Sequence, residues 1–246
     1  ANTTGISGSA FGYNALASNT TGQQNSAFGS SSLGLNTTGN SNSAFGVASL
    51  TNNTTGNNNS AFGVLSMANN TIGFENVACG LGSLFSNTTG AKNVAIGHFA
   101  LNFNTTANEN VAVGASALYN NITGNNNVAV GRRTLFTNTS GDGNSALGYY
   151  ALHNNTASGN SAFGYLSMTS NTTGEFNAAF GLDALGLNTT GSRSVAMGYG
   201  ALYRNTTGGR NTAVGFGALN YSTTANSNVA VGNDSLLSNL TGNNNR

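Results

Sequence analysis

The chain has 246 residues, of which only 5% are charged, and its formal net charge is +1. Its 7 Lys and Arg residues are too few for the clustered positive charge that nucleic acid binding requires, so we expect no nucleic acid partner. It lacks the run of about 18 apolar residues typical of a transmembrane helix, so we do not expect it to be membrane-embedded.

An Asn-Thr-Thr-Gly-type tetrad recurs along the whole chain. The tetrads start at Asn2, Asn19, Asn36 and onward in steps of 17 residues, with one step of 16 between Asn155 and Asn171. A fixed short period indicates stacked, equivalent units, so we predict one continuous array over residues 1–246. Because the array starts and stops within a repeat and has no caps, we expect a fragment of a longer fibre or a filament subunit.

The repeat is too short for a helical hairpin, and its apolar residues show no 3.6-residue period. Counting the tetrad Asn as position 1, we predict one strand near positions 7–10 and a second near positions 13–16. The tetrad and the Gly of position 11 then form the corners, because Gly and Asn tolerate positive φ. The expected fold is an all-β parallel β-solenoid of about fourteen 17-residue rungs, one rung per repeat.

The sizes of the residues at positions 8 and 10 compensate for each other from repeat to repeat. Ser at position 8 accompanies a large residue at position 10, as in Ser26 and Phe28, whereas Val accompanies a smaller one, as in Val94 and Ile96. Residues two apart in a strand share a face, so this compensation in size predicts that both positions pack in the core. The predicted core residues at position 10 are Phe11, Phe28, Phe45, Phe62, Ile96, Val113, Val130 and Leu147. Those at position 15 include Leu16, Leu33, Leu50, Leu84 and Leu101.

Position 9 is Ala in every repeat. If positions 8 and 10 face inward, position 9 faces outward, either to solvent or against another chain that leaves no space for a larger residue. We favour the second interpretation, with Ala27, Ala44, Ala61, Ala95 and Ala112 as interface residues. A lone thin solenoid buries few side chains per rung, which also favours association.

Asn at position 7 is expected to stack from rung to rung and to form an amide ladder. Many tetrads are also Asn-x-Ser/Thr sequons, which could carry N-linked glycans at an exposed corner. The alternative is that Asn-Thr-Thr-Gly only supplies turn chemistry. The candidate glycosylation sites are Asn2, Asn19, Asn36, Asn53, Asn87, Asn104, Asn171, Asn188 and Asn205.

Catalytic and metal-binding patterns are missing from the sequence. His98 and His153 occupy different positions of distant repeats, and the six carboxylates are scattered, so we predict no enzyme, no metal site and no cofactor. Cys79 occupies position 10 and is expected to be a small buried hydrophobe. Position 6 carries charge: Arg193 and Arg210 lie in consecutive repeats and form either a solvated edge or a basic patch for an acidic glycan or lipid head.

The strand motifs Asn93–Gly97, Asn110–Gly114 and Asn228–Gly232 read NVAIG or NVAVG. They resemble the repeats of the YadA-like head domain of trimeric autotransporter adhesins, and of the repeat shafts of phage tail-fibre-like proteins. The resemblance implies a left-handed parallel β-roll, three chains in a stiff stalk or head, and adhesion to a host surface or matrix. The period of 17 departs from about 14 in that family, and many repeats have Ser-Ala-Phe in place of Val-Ala-Ile.

We therefore expect a non-enzymatic extracellular fibre shaft or adhesive head, on a cell surface or virion, that self-associates as a homo-oligomer, with a trimer as the first expectation. Its further partners would be a host surface, matrix or glycans. One alternative is a self-assembling filament or appendage subunit that stacks end to end. Another is an ice-binding solenoid, which requires outward Thr residues two apart, whereas the tetrad has adjacent ones.

Overall fold

The computed structural model describes residues 8–245 of the chain. Within this range the regular elements are strands of three residues, joined by turns and bends. The chain divides into two compact units, residues 1–125 and 126–246. The expected single array over residues 1–246 stays a prediction.

The first unit contains seven strands, one in each rung. They are β1 (Ser9–Phe11), β2 (Ser26–Phe28), β3 (Ser43–Phe45), β4 (Ser60–Phe62), β5 (Val77–Cys79), β6 (Val94–Ile96) and β7 (Val111–Val113). The second unit also contains seven. They are β8 (Val128–Val130), β9 (Ser145–Leu147), β10 (Ser161–Phe163), β11 (Ala178–Phe180), β12 (Val195–Met197), β13 (Thr212–Val214) and β14 (Val229–Val231).

Within each unit, consecutive strands pair in parallel and in register. Ala27 of β2, for example, is the partner of Ala44 of β3, one repeat later. The shorter repeat keeps this register, since Ala146 pairs with Ala162. Equivalent positions therefore stack from rung to rung, and the predicted all-β parallel β-solenoid is confirmed.

The predicted second strand at positions 13–16 is wrong, because these residues form turns. Positions 13 and 15 have left-handed backbones, as in Ser31 with φ of 58° and Leu33 with φ of 49°. A left-handed residue at every second position cannot extend as a strand. The turns still bond between rungs, since the Leu33 amide donates to the Ser49 carbonyl at 3.1 Å.

Glycine is required at position 11, where the strand ends at a corner. Gly29 has a φ of +135°, and a Cβ placed there would lie 2.5 Å from the carbonyl oxygen of Gly46 in the next rung. Both the conformation and the space exclude a side chain. The corner predicted at this position is therefore confirmed.

The predicted amide ladder at position 7 is confirmed. Asn42 is fully buried, and its Nδ2 donates to Oδ1 of Asn25 at 3.2 Å and to the Gly56 carbonyl at 2.8 Å. The backbone N–H of Asn42 also donates to Oδ1 of Asn25, at 3.0 Å. Each Asn thus connects its own rung to both neighbours.

The tetrad Asn forms a second amide ladder that the sequence did not predict. Nδ2 of Asn36 donates to Oδ1 of Asn19 at 2.8 Å and to the Gly39 carbonyl of its own rung at 3.0 Å. The same Gly39 carbonyl accepts Nδ2 of Asn25 from the position 7 ladder at 2.7 Å. The Asn side chain of the tetrad is therefore interior and not part of an exposed corner.

The core lies on the opposite side of the strand from the predicted one. Ala27, Ala44, Ala61, Ala95 and Ala112 all have 0% exposed surface, within the fold of their own chain. At position 15, Leu33, Leu50, Leu84 and Leu101 are likewise fully buried, as predicted, and Leu16 near the first rung is half-buried.

The predicted core residues of position 10 face outward, and this prediction was wrong. Their side chains are exposed or half-exposed: Phe11, Phe28, Phe45, Phe62, Ile96, Val113, Val130 and Leu147. The reason is steric: besides Leu or Met of position 15, the interior holds two Asn side chains and the small residue of position 14, such as Ser49. Only Ala fits at position 9. The residues of positions 8 and 10, which compensate for each other in size, therefore lie on the outer face.

One rung lacks the tetrad Asn and leaves a defect in the second ladder. Ser222 replaces Asn, and its Oγ and Oδ1 of Asn205 are buried without a hydrogen-bond partner. The Ser222→Asn variant restores the missing amide, and we expect it to raise the free energy of unfolding by about 1–2 kcal/mol. Thermal unfolding followed by circular dichroism measures this, with exposed Ser238→Asn as the matched control. An unchanged or lower melting temperature for Ser222→Asn would contradict the ladder.

Two neighbouring residues of β4 test the orientation of the strand. Ala61 is fully buried, whereas Ser60 is half-buried on the outward face, where other repeats carry Val. Ala61→Val should lower the free energy of unfolding by about 1–3 kcal/mol through overpacking. Ser60→Val should change it by less than about 0.5 kcal/mol. Chemical denaturation measures the free energy of unfolding of both variants. If Ser60→Val lowered it more than Ala61→Val did, positions 8 and 10 would face inward, and their outward orientation would be wrong.

Candidate functional site

The main exposed feature of each unit is the outward face of its strands. Positions 8 and 10 of the strand and position 12 after it all point away from the core. In the first unit, Phe28, Phe45 and Phe62 are 40%, 36% and 42% exposed. In the second unit, Tyr165 and Tyr199 at position 12 are 50% and 51% exposed. We call this surface the strand face, defined by positions 8, 10 and 12.

Aromatic rings stack along the strand face. The Phe28 and Phe45 ring centroids lie 4.8 Å apart, and those of Phe45 and Phe62 lie 5.1 Å apart, with nearly parallel planes. In the second unit, Tyr149 stacks on Tyr165 at 5.2 Å. Because each ring covers the face of its neighbour, the ring edges remain exposed. The strand face is thus suited to an extended apolar contact and not to face-on stacking of a sugar ring.

Cys79 lies on the strand face and is exposed. The prediction that it is buried is wrong for the same reason as for the Phe residues of position 10.

The structure contradicts the glycosylation hypothesis for the tetrad. The candidate residues all have 3% exposure or less: Asn19, Asn36, Asn53, Asn87, Asn104, Asn171, Asn188 and Asn205. Nδ2, to which a glycan would attach, donates two hydrogen bonds in Asn53, to Asn36 at 2.7 Å and to Gly56 at 3.0 Å. A glycan there would break both ladder bonds and could not fit the interior. Asn2 lies outside the described residues.

Accessible sequons lie outside the tetrads and were not among the predicted glycosylation sites: Asn58, Asn154 and Asn233 each begin one and are exposed. Asn233, Asp234 and Ser235 form an Asn-x-Ser sequon at positions 12–14, and Asn233 is exposed. Its Nδ2 donates only to the adjacent Asp234 carboxylate, at 2.8 Å. These residues could have been found by searching outside the tetrads.

The exposed Thr residues do not match the geometry expected of an ice-binding face. Thr37 at position 2 is half-buried, and its hydroxyl donates to the Thr54 carbonyl of the next rung at 3.0 Å. Thr38 at position 3 is exposed. The tetrad therefore presents one outward Thr per rung, whereas the hypothesis requires two.

A cationic and aromatic cluster lies in the second unit. Nη1 of Arg133 donates to the Tyr150 hydroxyl at 2.7 Å, and the His153 ring contacts both Tyr150 and Phe136. Nδ1 of His153 lies 3.1 Å from the Arg133 carbonyl. Burial lowers the pKa of His153, with a smaller contribution from the Arg133 charge and an opposing one from that hydrogen bond. The charged and aromatic side chains of this cluster therefore contact one another.

Other titratable groups do not assemble into a reactive centre. Burial raises the pKa of the Asp183 carboxyl, which lies beside Tyr199 and Tyr203. His98 is exposed and packs against Phe99, with ring centroids 4.0 Å apart. Among residues 8–245, no group of three His, Cys, Asp or Glu side chains could hold a metal ion.

The described part of the chain also contains no helix that is long and apolar enough to span a membrane.

The charged residues of position 6 lie on the surface in both units. Glu75, Lys92 and Glu109 are exposed on consecutive rungs of the first unit. Arg193 and Arg210 are exposed on consecutive rungs of the second unit and line a groove.

Comparison with models of known protein families gives no match, and comparison with curated protein sequences gives none either.

Expression through a eukaryotic secretory pathway tests the burial of the tetrad Asn residues. We expect folded, secreted protein to carry no glycan on Asn36 or Asn53, because a chain modified there could not close its ladder. Asn233 provides an accessible sequon as an internal control. Peptide mass spectrometry with site assignment measures the occupancy. A glycan on Asn53 in folded protein would overturn the second ladder.

Proposed function

We propose that this chain is a non-enzymatic structural segment of an extracellular fibre, a shaft or an adhesive head that self-associates through its strand face. The exposed apolar strand face supports this proposal most directly. A large apolar surface that repeats along a chain marks a site of protein association. The place of action would be a cell surface or virion, with host surface, matrix or glycans as further partners.

Rung-to-rung hydrogen bonding supports a mechanical role. Backbone bonds join neighbouring rungs in the strands and also in the turns, as from the Thr37 amide to the Thr54 carbonyl at 2.9 Å. The buried amide ladders add side-chain bonds in the same direction. Bending a unit would strain many short bonds at once, which suits a stiff shaft.

A second copy of the same chain fits the strand face better than a small ligand does. Side chains of positions 8, 10 and 12 repeat at the spacing of parallel strands, about 4.8 Å. A copy with the same period meets them rung by rung and provides the extended area that stable association needs. The resemblance to trimeric adhesin repeats makes three copies our first expectation.

Light scattering of the intact chain tests this proposal. We expect a particle of about three times the 24.7 kDa mass of one chain. The triple variant Phe28→Ser, Phe45→Ser and Phe62→Ser should be monomeric, since it removes the stacked rings from the strand face. The matched control is Leu35→Ser, Ile72→Ser and Phe74→Ser, which changes exposed apolar residues outside the strand face.

Three outcomes distinguish the alternatives. A monomeric wild-type chain, or dissociation of the control to the same extent, would contradict association through the strand face. Growth to ever larger particles with concentration, unaffected by the Phe substitutions, would favour the end-to-end filament.

A further inference from the structure

A groove of about 400 Å³ opens in the second unit beside the tetrads, where positions 3, 5 and 6 reach solvent. Its walls come from successive rungs and include Thr190, Thr207, Arg193, Arg210 and Asn226. The strand face uses positions 8, 10 and 12, so the groove is a different surface from the one proposed for association.

Two arginines of adjacent rungs line the groove. Arg193 and Arg210 both occupy position 6, and both are exposed. The Arg193 amide donates to the Glu175 carbonyl and the Arg210 amide to the Ser192 carbonyl, each at 2.9 Å. These bonds fix the backbone positions of both arginines. Neither guanidinium has a hydrogen-bond or ion-pair partner within residues 8–245. The two like charges start from neighbouring rungs, whose backbones lie about 4.8 Å apart, so a bound anion would relieve their mutual repulsion.

Position 5 lacks a side chain in one of the rungs that line the groove. Gly209 occupies this position, where neighbouring rungs carry Ser192 and Asn226. A Cβ on Gly209 would lie 2.9 Å from the Ser192 carbonyl oxygen. The Gly209 amide donates to Oδ1 of Asn226 at 2.8 Å, which orients that side chain along the groove wall.

The remaining wall is rich in hydroxyl groups. Thr190 and Thr207 are exposed on adjacent rungs, and Ser227 lies beside Arg210 in the same position of the next rung. At one end, Phe176 is 58% exposed, and the Glu175 carboxylate is a hydrogen-bond acceptor. Arginine forks bind carboxylates and sulfates in a planar, bidentate manner, while hydroxyls and amides match the hydroxyl groups of a sugar.

We propose that this groove binds an acidic oligosaccharide, whose carboxylate or sulfate groups pair with Arg193 and Arg210. A membrane surface is less suited to it, because recognition of anionic lipid uses clusters of four to eight basic residues. Nucleic acid would require a longer positive track than two arginines. The proposal adds a ligand to the proposed fibre but does not depend on self-association, which uses the strand face.

Fluorescence anisotropy with labelled oligosaccharides tests the proposal on the full chain at near-physiological salt. The probes are a galacturonic acid hexamer for carboxylate, a heparin-derived hexamer for sulfate, and maltohexaose as the neutral probe. Vesicles containing phosphatidylserine form a separate arm. We expect at least one acidic hexamer to bind, and the double variant Arg193→Gln and Arg210→Gln to weaken that binding at least tenfold.

The matched control, Arg132→Gln with Arg204→Gln, removes two exposed charges outside the groove and should change affinity less than twofold. An equal loss in this control would show nonspecific charge attraction and overturn the site. So would unchanged binding by the groove variant, failure of both acidic hexamers to bind, or binding to the vesicles alone. Light scattering of the groove variant should match the wild type, which separates this result from the test of self-association.

Discussion

Buried side-chain amides that bond from rung to rung are the interaction on which this solenoid depends. Two Asn residues of each typical repeat enter the interior, where they are fully or almost fully buried. A buried amide without partners would be destabilising, so each rung requires its neighbours to supply donors and acceptors. Gly39 illustrates the connection, since its carbonyl accepts amides of both ladders. The stacking register and the parallel strands follow from this requirement.

The ladders also make the interior narrow, and this determines which large apolar side chains must lie on the outer face. With two amides, an Ala and a small residue of position 14 inside, only position 15 holds a large side chain. Phe28 and Phe45 therefore stack on the outer face, where they gain contact with each other but remain partly exposed. The exposed strand face is thus a consequence of the polar interior. The same stacking places Arg193 and Arg210 on adjacent rungs, where neither guanidinium is paired within residues 8–245.

The period, the strand position, the Gly corner and the position 7 ladder could be predicted from the sequence, because each follows from a residue type that recurs in register. The orientation of the strand could not. Volume compensation between Ser26 and Phe28 shows that they share a face, but not which face. The invariant Ala of position 9 marked the tightest packing, which in this fold is the core of the single chain. The tetrad Asn was ambiguous for a related reason, since turn chemistry, sequons and buried ladders use the same residue. The groove is formed by residues of several rungs, among them Gly209 and Arg210, and their proximity depends on the stacking.

Hydrogen exchange of the Asn side-chain amides, resolved by NMR, tests the buried ladders most directly. The Nδ2 protons of Asn36 and Asn53 at position 1, and of Asn42 and Asn59 at position 7, should persist in D2O for hours. Those of exposed Asn233 should exchange before the first spectrum. If the ladder amides exchange as fast as Asn233 in folded protein, the amides are not buried between rungs, and the orientation of the whole repeat is wrong.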